Sequence, residues 1–163
     1  MERVLRDTLA GTGFEKVGRV RSRMMQSVRG RGNRTTELRL RYAMVRAGIK
    51  GWQLQVRDLP GSPDFFFAHS RLAVFVDGCF WHGCPRCYRA PSTRSAFWRM
   101  KVKRNRSRDA ATTADLYQQG IRVLRLWECD LAGRLDQAIA RVKKGLRREK
   151  RHRGAALNSP GTF

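Results

Sequence analysis

Residues 63–79 read PDFFFAHSRLAVFVDGC, and they predict the centre of the β-sheet. It contains two short runs rich in β-branched and aromatic residues, Asp64 to Phe67 and Leu72 to Val76, with a polar interruption at His69 and Ser70. Such runs favour strands, and a short polar break between two of them favours a hairpin. The stretch therefore predicts two neighbouring antiparallel strands, and the second leads into a loop rich in cysteine.

The sequence before this hairpin predicts a helix followed by a strand. The helix is expected from Thr35, which can cap it, to Gly48, which can end it. Trp52 to Val56 then alternates between apolar and polar residues, as a half-buried strand does. The expected apolar face of the helix consists of the residues at helical spacing, Leu38, Tyr42 and Val45.

The sequence after the cysteine loop predicts a helix, a strand and a helix. A long basic helix is expected from about Arg94 to Gln119, a strand from Ile121 to Trp127, and a last helix from about Arg134. The complete order is helix, three strands, helix, strand, helix. This order predicts an α/β fold in which helices flank a mixed central β-sheet.

One folded domain with two loose ends is the expected organisation. A chain of 163 residues supports a single core of ordinary size. Residues 1–34 show no sustained period and end in a glycine-rich basic run, so we predict a flexible basic arm there. The folded domain is expected at residues 35–142, and a basic, disordered tail at residues 143–163.

The charge of the chain predicts a polyanionic partner. It has 35 Lys and Arg against 13 Asp and Glu, a formal net charge of +22, which is far more than solubility needs. Most of the excess is arginine, whose planar guanidinium pairs with phosphate and guanine, so we expect double-stranded DNA as the partner. No apolar window reaches the roughly 18 residues of a membrane span, and no signal peptide is recognisable. We therefore expect a cytoplasmic protein without a membrane partner.

The four cysteines have the spacing of a metal site. Cys79, Cys84 and Cys87 are crowded into one loop, and Cys129 follows a later strand. Four thiolates suit tetrahedral Zn²⁺, and a site closed by four protein ligands is structural because no position remains for a substrate. The alternative is four buried free thiols.

Three acidic residues could form a second metal site. Asp64 begins one strand of the hairpin, Asp77 ends the other, and Glu37 lies in the first turn of the preceding helix. Carboxylate oxygens gathered beside a phosphate are the ligands that Mg²⁺ prefers. The alternative for Asp64 is that it only caps the turn after Pro63.

A histidine and two aromatic pairs complete the candidate site. His82 lies in the cysteine loop and could take a proton from water near neutral pH, although it could also merely pack or ligate the zinc. Phe80-Trp81 and Phe97-Trp98 stand among basic residues, as side chains that stack on bases do. Their alternative is an ordinary place in the core.

Two motifs resemble the signature of the very short patch repair endonucleases. They read LPGSPDF at residues 59–65 and VDGCFWHGCP at residues 76–85. Shorter stretches at 21–25, 93–105 and 122–129 also resemble the family, so the resemblance covers roughly residues 20–135. The family has the restriction-endonuclease-like fold and nicks one strand beside the thymine of a T:G mismatch. The resemblance thus implies a bacterial, nucleoid-associated nickase that depends on Mg²⁺ and has a structural zinc loop.

The resemblance also implies roles for individual residues. Asp64 would be the central Mg²⁺ ligand, together with the backbone carbonyl of Val76, and Asp77 would be either a further ligand or only a neighbour of the metal. His82 would activate water, and Glu37 would assist it. The four cysteines would hold Zn²⁺. The residues that would contact DNA are Met25 in the arm, Phe80, Trp81 and Trp98 as an aromatic wedge, and Arg94, Lys101 and Asn105 on the long helix.

One departure and two alternative functions remain open at this point. The wider nuclease fold usually carries an acid and a lysine after the first aspartate, whereas this chain reads Asp77-Gly78-Cys79, so His82 would have to substitute for the lysine. A sequence-specific nickase acting on fully paired DNA would share the same chemistry. A zinc-stabilised DNA-binding protein without catalysis would bind DNA but not cut it. We expect a monomer, because a nick at an asymmetric mismatch needs no twofold symmetry.

Overall fold

A computed structural model of the chain describes residues 34–155, with side chains described for residues 36–147. The predicted arm, including Met25 but not Arg34, lies outside the described residues, and so does the end of the predicted tail. The elements are α1 (Arg34–Arg46), β1 (Gln53–Leu54), β2 (Phe65–Phe67), β3 (Leu72–Asp77), α2 (Ser95–Gln118), β4 (Arg122–Trp127), α3 (Glu128–Gly133) and α4 (Leu135–Ala155).

The four strands form one mixed sheet in the order β1-β2-β3-β4. The first three strands are antiparallel neighbours, whereas β3 and β4 are parallel, with Asp77 opposite Trp127. A parallel pair needs a crossover connection, and α2 lies within it. The predicted hairpin, the long helix and the mixed α/β architecture are confirmed.

The sheet is covered on both faces. Residues that alternate along the strands pack in two separate cores, and Val74 and Phe75 illustrate the alternation. On one face Val74 packs in a core with residues of α1, α3 and α4, such as Leu40 and Val142. On the other face Phe75 packs in a smaller core with Leu116 of α2. Because both faces are covered, β3 is apolar throughout until it ends at Asp77.

The predicted apolar face of the first helix is wrong. Leu38, Tyr42 and Val45 are exposed, whereas Leu40 and Met44 are fully buried. The buried residues, with Ala43 and Ala47 beside them, form a stripe at positions i, i+3, i+4 and i+7, which is the more complete helical pattern. The helix therefore presents small residues together with Leu40 and Met44 to the sheet and to α4.

The first strand is shorter than predicted, and one short helix was missed. The first strand is only Gln53–Leu54, because Gln55 adopts a positive φ of 48°, which ends the extended backbone. The helix α3, directly after β4, was not predicted, and Cys129 lies in it.

The last helix continues to Ala155, past residue 143, where the sequence analysis placed the start of a disordered tail. The apolar stripe explains the difference, since Val142 is buried and Leu146 packs against the same core. At Gly145 a Cβ would lie 2.9 Å from the side chain of Leu72, so the helix crosses the sheet closely there. Among the described residues, no helix is long and apolar enough to cross a membrane.

Candidate active site and metal centre

The carboxylate of Asp64 lies where β2 begins and faces the end of β3. The backbone N–H of Val76 donates a hydrogen bond of 2.7 Å to Asp64 Oδ2, and Glu37 of α1 interacts with the same carboxyl group. Burial, together with the charges of Glu37 and Asp77, raises the pKa of Asp64 from 3.8 to about 7, although the bond from Val76 lowers it. The carboxyl groups of Asp64 and Glu37 therefore lie close together, with the charge of Asp77 near enough to act on Asp64.

The carboxylate of Asp77 is paired with an arginine that the sequence analysis did not single out. Arg125 of β4 donates from Nε to Oδ2 at 2.6 Å and from Nη2 to Oδ1 at 2.7 Å. Asp77 is almost completely buried, with 4% of its surface exposed. Both of its oxygens are thus committed to a bidentate bond, which is the stronger form of an arginine–carboxylate pair.

A second aspartate that the sequence analysis missed holds His82. The Nδ1 atom of His82 lies 2.5 Å from Oδ2 of Asp109 in α2, and 3.9 Å from Oδ1 of Asp77. Burial raises the pKa of Asp109, but the bond with His82 and the charge of Arg125 lower it more, so its pKa lies below the ordinary value. Asp109 is therefore ionised and can only accept a hydrogen bond, which makes Nδ1 of His82 the donor and leaves Nε2 on the opposite side of the ring.

The four cysteines gather into one cluster, as the sequence predicts. Their sulfur atoms all lie within 4.8 Å of one another, and Cys84 is buried whereas Cys87 is exposed. Burial raises the pKa of Cys84, but hydrogen bonds from the backbone of Arg86 and Cys87 and from neighbouring thiols lower it to about 6. The pKa values of Cys79 and Cys87 are raised. Proximity of this kind suits a single tetrahedral metal ion bound by thiolates.

Several contacts fix the cysteine loop between α2 and α3. Arg86 donates to the buried carboxylate of Asp130 at 2.5 Å and to the sulfur of Cys129 at 3.2 Å. On the other side of the loop, Arg106 of α2 donates to the backbone carbonyls of His82 and Gly83. Gly83 has a φ of 66°, and a Cβ there would lie 2.4 Å from Val102, so only glycine permits this approach.

The aromatic residues of the loop and of α2 form one partly exposed cluster. The ring of Trp98 lies 4.9 Å from that of Phe80, 6.1 Å from that of Trp81 and 5.2 Å from that of Phe97. All four rings are half-buried, so they are neither core residues nor fully exposed. Lys101 places its ammonium group 5.3 Å from the centre of the Trp81 ring. The cluster thus combines aromatic faces with positive charge.

The remaining predicted DNA contacts lie on α2. Arg94 is the N-cap of this helix and has a left-handed conformation with φ of 55°. Asn105 donates from its side-chain nitrogen to the backbone carbonyl of Trp81 at 2.7 Å. Asn105 therefore positions the cysteine loop, a role that the sequence analysis did not foresee.

Asp109 and Arg125 each left a signal in the sequence. Asp109 follows Lys101 and Asn105 at intervals of four residues, so all three lie on one face of the predicted helix. Arg125 interrupts an apolar strand between Leu124 and Leu126, and a charge in such a position requires a buried partner.

A family model and several known proteins are similar to this chain. A family model described as DNA mismatch endonuclease Vsr matches residues 14–89. The type II nicking enzyme V.NaeI of Lentzea aerocolonigenes is 40% identical over 126 residues, which cover 75% of this chain and 74% of that protein. The type II nicking enzyme V.XorIIP of Xanthomonas oryzae pv. oryzae is 40% identical over 111 residues, 67% of this chain and 79% of that protein. The DNA mismatch endonuclease Vsr of Escherichia coli strain K12 is 39% identical over 118 residues, 70% of this chain and 72% of that protein.

Proposed function

Because the chain belongs to the Vsr family of DNA endonucleases, we propose that it nicks one strand of double-stranded DNA beside the thymine of a T:G mismatch. The reaction is hydrolysis of a phosphodiester bond that depends on Mg²⁺. One observation carries the proposal, namely that Asp64 with Glu37 and His82 with Asp109 lie on either side of Asp77, at the end of β3.

The acidic group fits a magnesium ion. The pKa of Asp64 is raised to about 7 by burial and by neighbouring carboxylates, and a divalent cation would compensate these charges. Asp64 and Glu37, with the backbone carbonyl of Val76, are the groups that would hold it. Bound Mg²⁺ would stabilise the charge that develops on the phosphoryl group and lower the pKa of the attacking water.

The chain's own residues supply the proton transfer. Asp109 holds Nδ1 of His82, so in the neutral ring the opposite nitrogen, Nε2, is the one that would accept a proton from water. The oxygen of this water attacks the phosphorus, the bond to the 3′ oxygen breaks, and the 3′ oxygen takes up a proton. The products are a 3′ hydroxyl and a 5′ phosphate. His82 would thus replace the lysine that the wider nuclease fold usually carries after its first aspartate.

The cysteine cluster fits structural zinc. Four thiol groups within 4.8 Å of one another would fill all positions of a tetrahedral ion and leave none for a substrate. The proposed role of the metal is to hold the loop that carries His82, Phe80 and Trp81 against α3. It would act on catalysis only through the position of His82.

The aromatic cluster supports selectivity for a mismatch. Mispaired steps cost less to unstack than paired ones, and half-buried rings beside Lys101 can receive the unstacked bases. Phe80, Trp81 and Trp98 would form the wedge, while Arg94, Lys101 and Asn105 would face the DNA. The net charge of +22 supports a strong, sequence-independent grip on the phosphate backbone. The relatives come from bacteria, and we propose that this chain acts on bacterial DNA as a monomer.

The experiment compares strand-resolved products on end-labelled duplexes that carry a T:G mismatch in varied flanking sequence, or the matched C:G pair, with Mg²⁺ present. We expect a nick beside the mismatched thymine, and we expect the Asp64→Ala variant to bind the same DNA without nicking it. Nicking that persists in this variant would refute the assignment of the site.

The second candidate is a nickase that acts at a specific sequence of fully paired DNA. The observation that favours it is that two of the relatives are named type II nicking enzymes. Equal nicking of the matched and mismatched duplexes would select it. Tight binding without a nick in any sequence context would instead select a DNA-binding protein without catalysis.

A further inference from the structure

Arg125 occupies a position where an arginine is costly. It lies in β4 between Leu124 and Leu126, and only 24% of its side chain is exposed. Its Nη1 atom is buried and makes no hydrogen bond with any described residue. A buried ion pair is often no more stable than well-packed apolar side chains of the same volume. Stability alone therefore gives little reason for an arginine at this position.

The guanidinium group bridges the two carboxylates that flank His82. It forms the bidentate bond with Asp77, and its Nη2 also lies 3.0 Å from Oδ1 of Asp109. The guanidinium group also packs against the ring of Phe75, whose centre lies 4.9 Å from the guanidinium carbon. Three elements, β3, β4 and α2, are thus joined by one side chain.

This bridge determines which carboxylate holds the histidine. Asp77 and Asp109 both face Nδ1 of His82, at 3.9 and 2.5 Å. Arg125 takes both oxygens of Asp77 but only Oδ1 of Asp109, so Oδ2 of Asp109 remains to accept from the imidazole. Without the arginine, the buried carboxylate of Asp77 and the partly buried one of Asp109 would compete for one N–H group and would repel each other.

The same bridge removes Asp77 from the metal ligands that the family resemblance implied. The two bonds from the guanidinium occupy one lone pair on each oxygen of Asp77 and offset its charge, which weakens it as a ligand for a cation. The acidic group on the other side of Val76 then consists of Asp64 and Glu37. Asp77 would act on the reaction through Arg125.

We propose that Arg125 is a positioning residue of the nuclease, which holds Asp109 in place against His82 and engages Asp77 so that it does not bind the metal. The inference rests on the proposed function for its activity readouts. Because Asp77 and Arg125 compensate each other's charge, loss of the arginine leaves an uncompensated carboxylate beside His82. Removal of that carboxylate should then repair part of the damage.

The test measures single-turnover nicking and DNA affinity of the zinc-loaded full chain in Arg125→Met, Asp77→Asn and the double variant. We expect Arg125→Met to nick about 10- to 100-fold more slowly, as loss of an outer positioning group does, with a DNA dissociation constant within about threefold of the wild type. The double variant should nick faster than Arg125→Met. The Mg²⁺ concentration for half-maximal rate should stay unchanged in Asp77→Asn and rise sharply in Glu37→Gln.

Arg122→Met is the matched control, because Arg122 lies on the same strand and donates to the backbone carbonyls of Ser70 and Gly145. It should lose stability but keep the nicking rate of the folded fraction. If the nicking rate fell equally in Arg125→Met and Arg122→Met, the role of Arg125 would be only structural. A double variant no faster than Arg125→Met, or a Mg²⁺ requirement that rises in Asp77→Asn, would also overturn the proposal.

A readout without activity separates this inference from the proposed function. In the proton NMR spectrum the hydrogen-bonded Nδ1 proton of His82, assigned with His82→Gln, should appear far downfield in the wild type and in Arg122→Met. It should weaken or disappear in Arg125→Met. If the wild type nicks no DNA but the signal behaves in this way, the proposed function fails and the positioning role stands. An unchanged signal in Arg125→Met refutes the positioning role.

Discussion

Substitution of Asp64 by asparagine should stabilise the protein at alkaline pH while it abolishes nicking. The pKa of this carboxyl group is raised from 3.8 to about 7, first by burial and then by Glu37 and Asp77. In the unfolded chain the group loses its proton near pH 4, whereas in the folded chain it keeps the proton up to about pH 7. Between these values the folded state binds more protons, so its stability falls as the pH rises.

The size of the effect follows from the shift. A difference of about three pH units corresponds to roughly 4 kcal/mol of unfolding free energy, and relaxation of the site reduces this to an expected 2–4 kcal/mol. The cost is fully present above about pH 7 and absent below about pH 4. Asparagine removes the charge, and its side-chain oxygen can still accept from Val76 N–H.

Urea denaturation of zinc-loaded wild type and Asp64→Asn, at pH 4, 6 and 8 without magnesium, measures this difference. We expect the variant to be more stable than the wild type at pH 8, by a smaller margin at pH 6, and equally stable at pH 4. Addition of Mg²⁺ at pH 8 should stabilise the wild type and not the variant. A difference that does not depend on pH, or a variant that is less stable at pH 8, would refute a raised pKa of Asp64 in the folded protein.

Three further outcomes are expected. Asp109→Asn should lower the single-turnover nicking rate by about 10²- to 10⁴-fold, because His82 loses the acceptor that fixes its protonated nitrogen; an unchanged rate would remove Asp109 from the mechanism, and the DNA dissociation constant serves as the control. Cys84→Ser should lower the zinc content measured by mass spectrometry and the melting temperature together, whereas Arg89→Ala in the same loop should change neither; full zinc occupancy in the serine variant would exclude the four-thiolate site. Trp81→Ala should weaken binding to T:G duplexes by about 1–3 kcal/mol, the usual contribution of a stacked base, and binding to matched duplexes less, with Met100→Ala on the exposed side of α2 as the control.

The sequence predicted the elements better than it predicted their faces. Strands β2 and β3 follow from a run of apolar residues that no helix would bury so evenly, and the glycine at 120 marks the end of α2. The orientation of α1 depends on which of two apolar stripes meets the sheet. Pattern alone favoured Leu38, Tyr42 and Val45, and tertiary packing selected Leu40 and Met44.

Some contacts of the candidate site could also be predicted from the sequence, and others could not. The gathering of the four cysteines could be predicted because their spacing restricts their positions. The partnership of His82 with Asp109 could not, since the two residues are 27 positions apart and meet only when the cysteine loop lies along α2. Arg125 is 48 positions from Asp77 in sequence, and only the parallel pairing of β3 with β4 brings the two together.

That parallel pairing also sets the order in which the protein can become active during its synthesis. Asp64, Asp77 and His82 leave the ribosome early, but Asp109 and then Arg125 and Cys129 follow only after the whole of α2 or most of it. Pairing between distant segments forms late because the intervening chain must first be closed into a loop. A nascent chain that stops before residue 122 has neither the fourth thiol nor the strand β4 that brings Arg125 to Asp77. For the nuclease proposed above, we therefore expect such fragments to be inactive, so that activity begins only after β4 and α3 are complete.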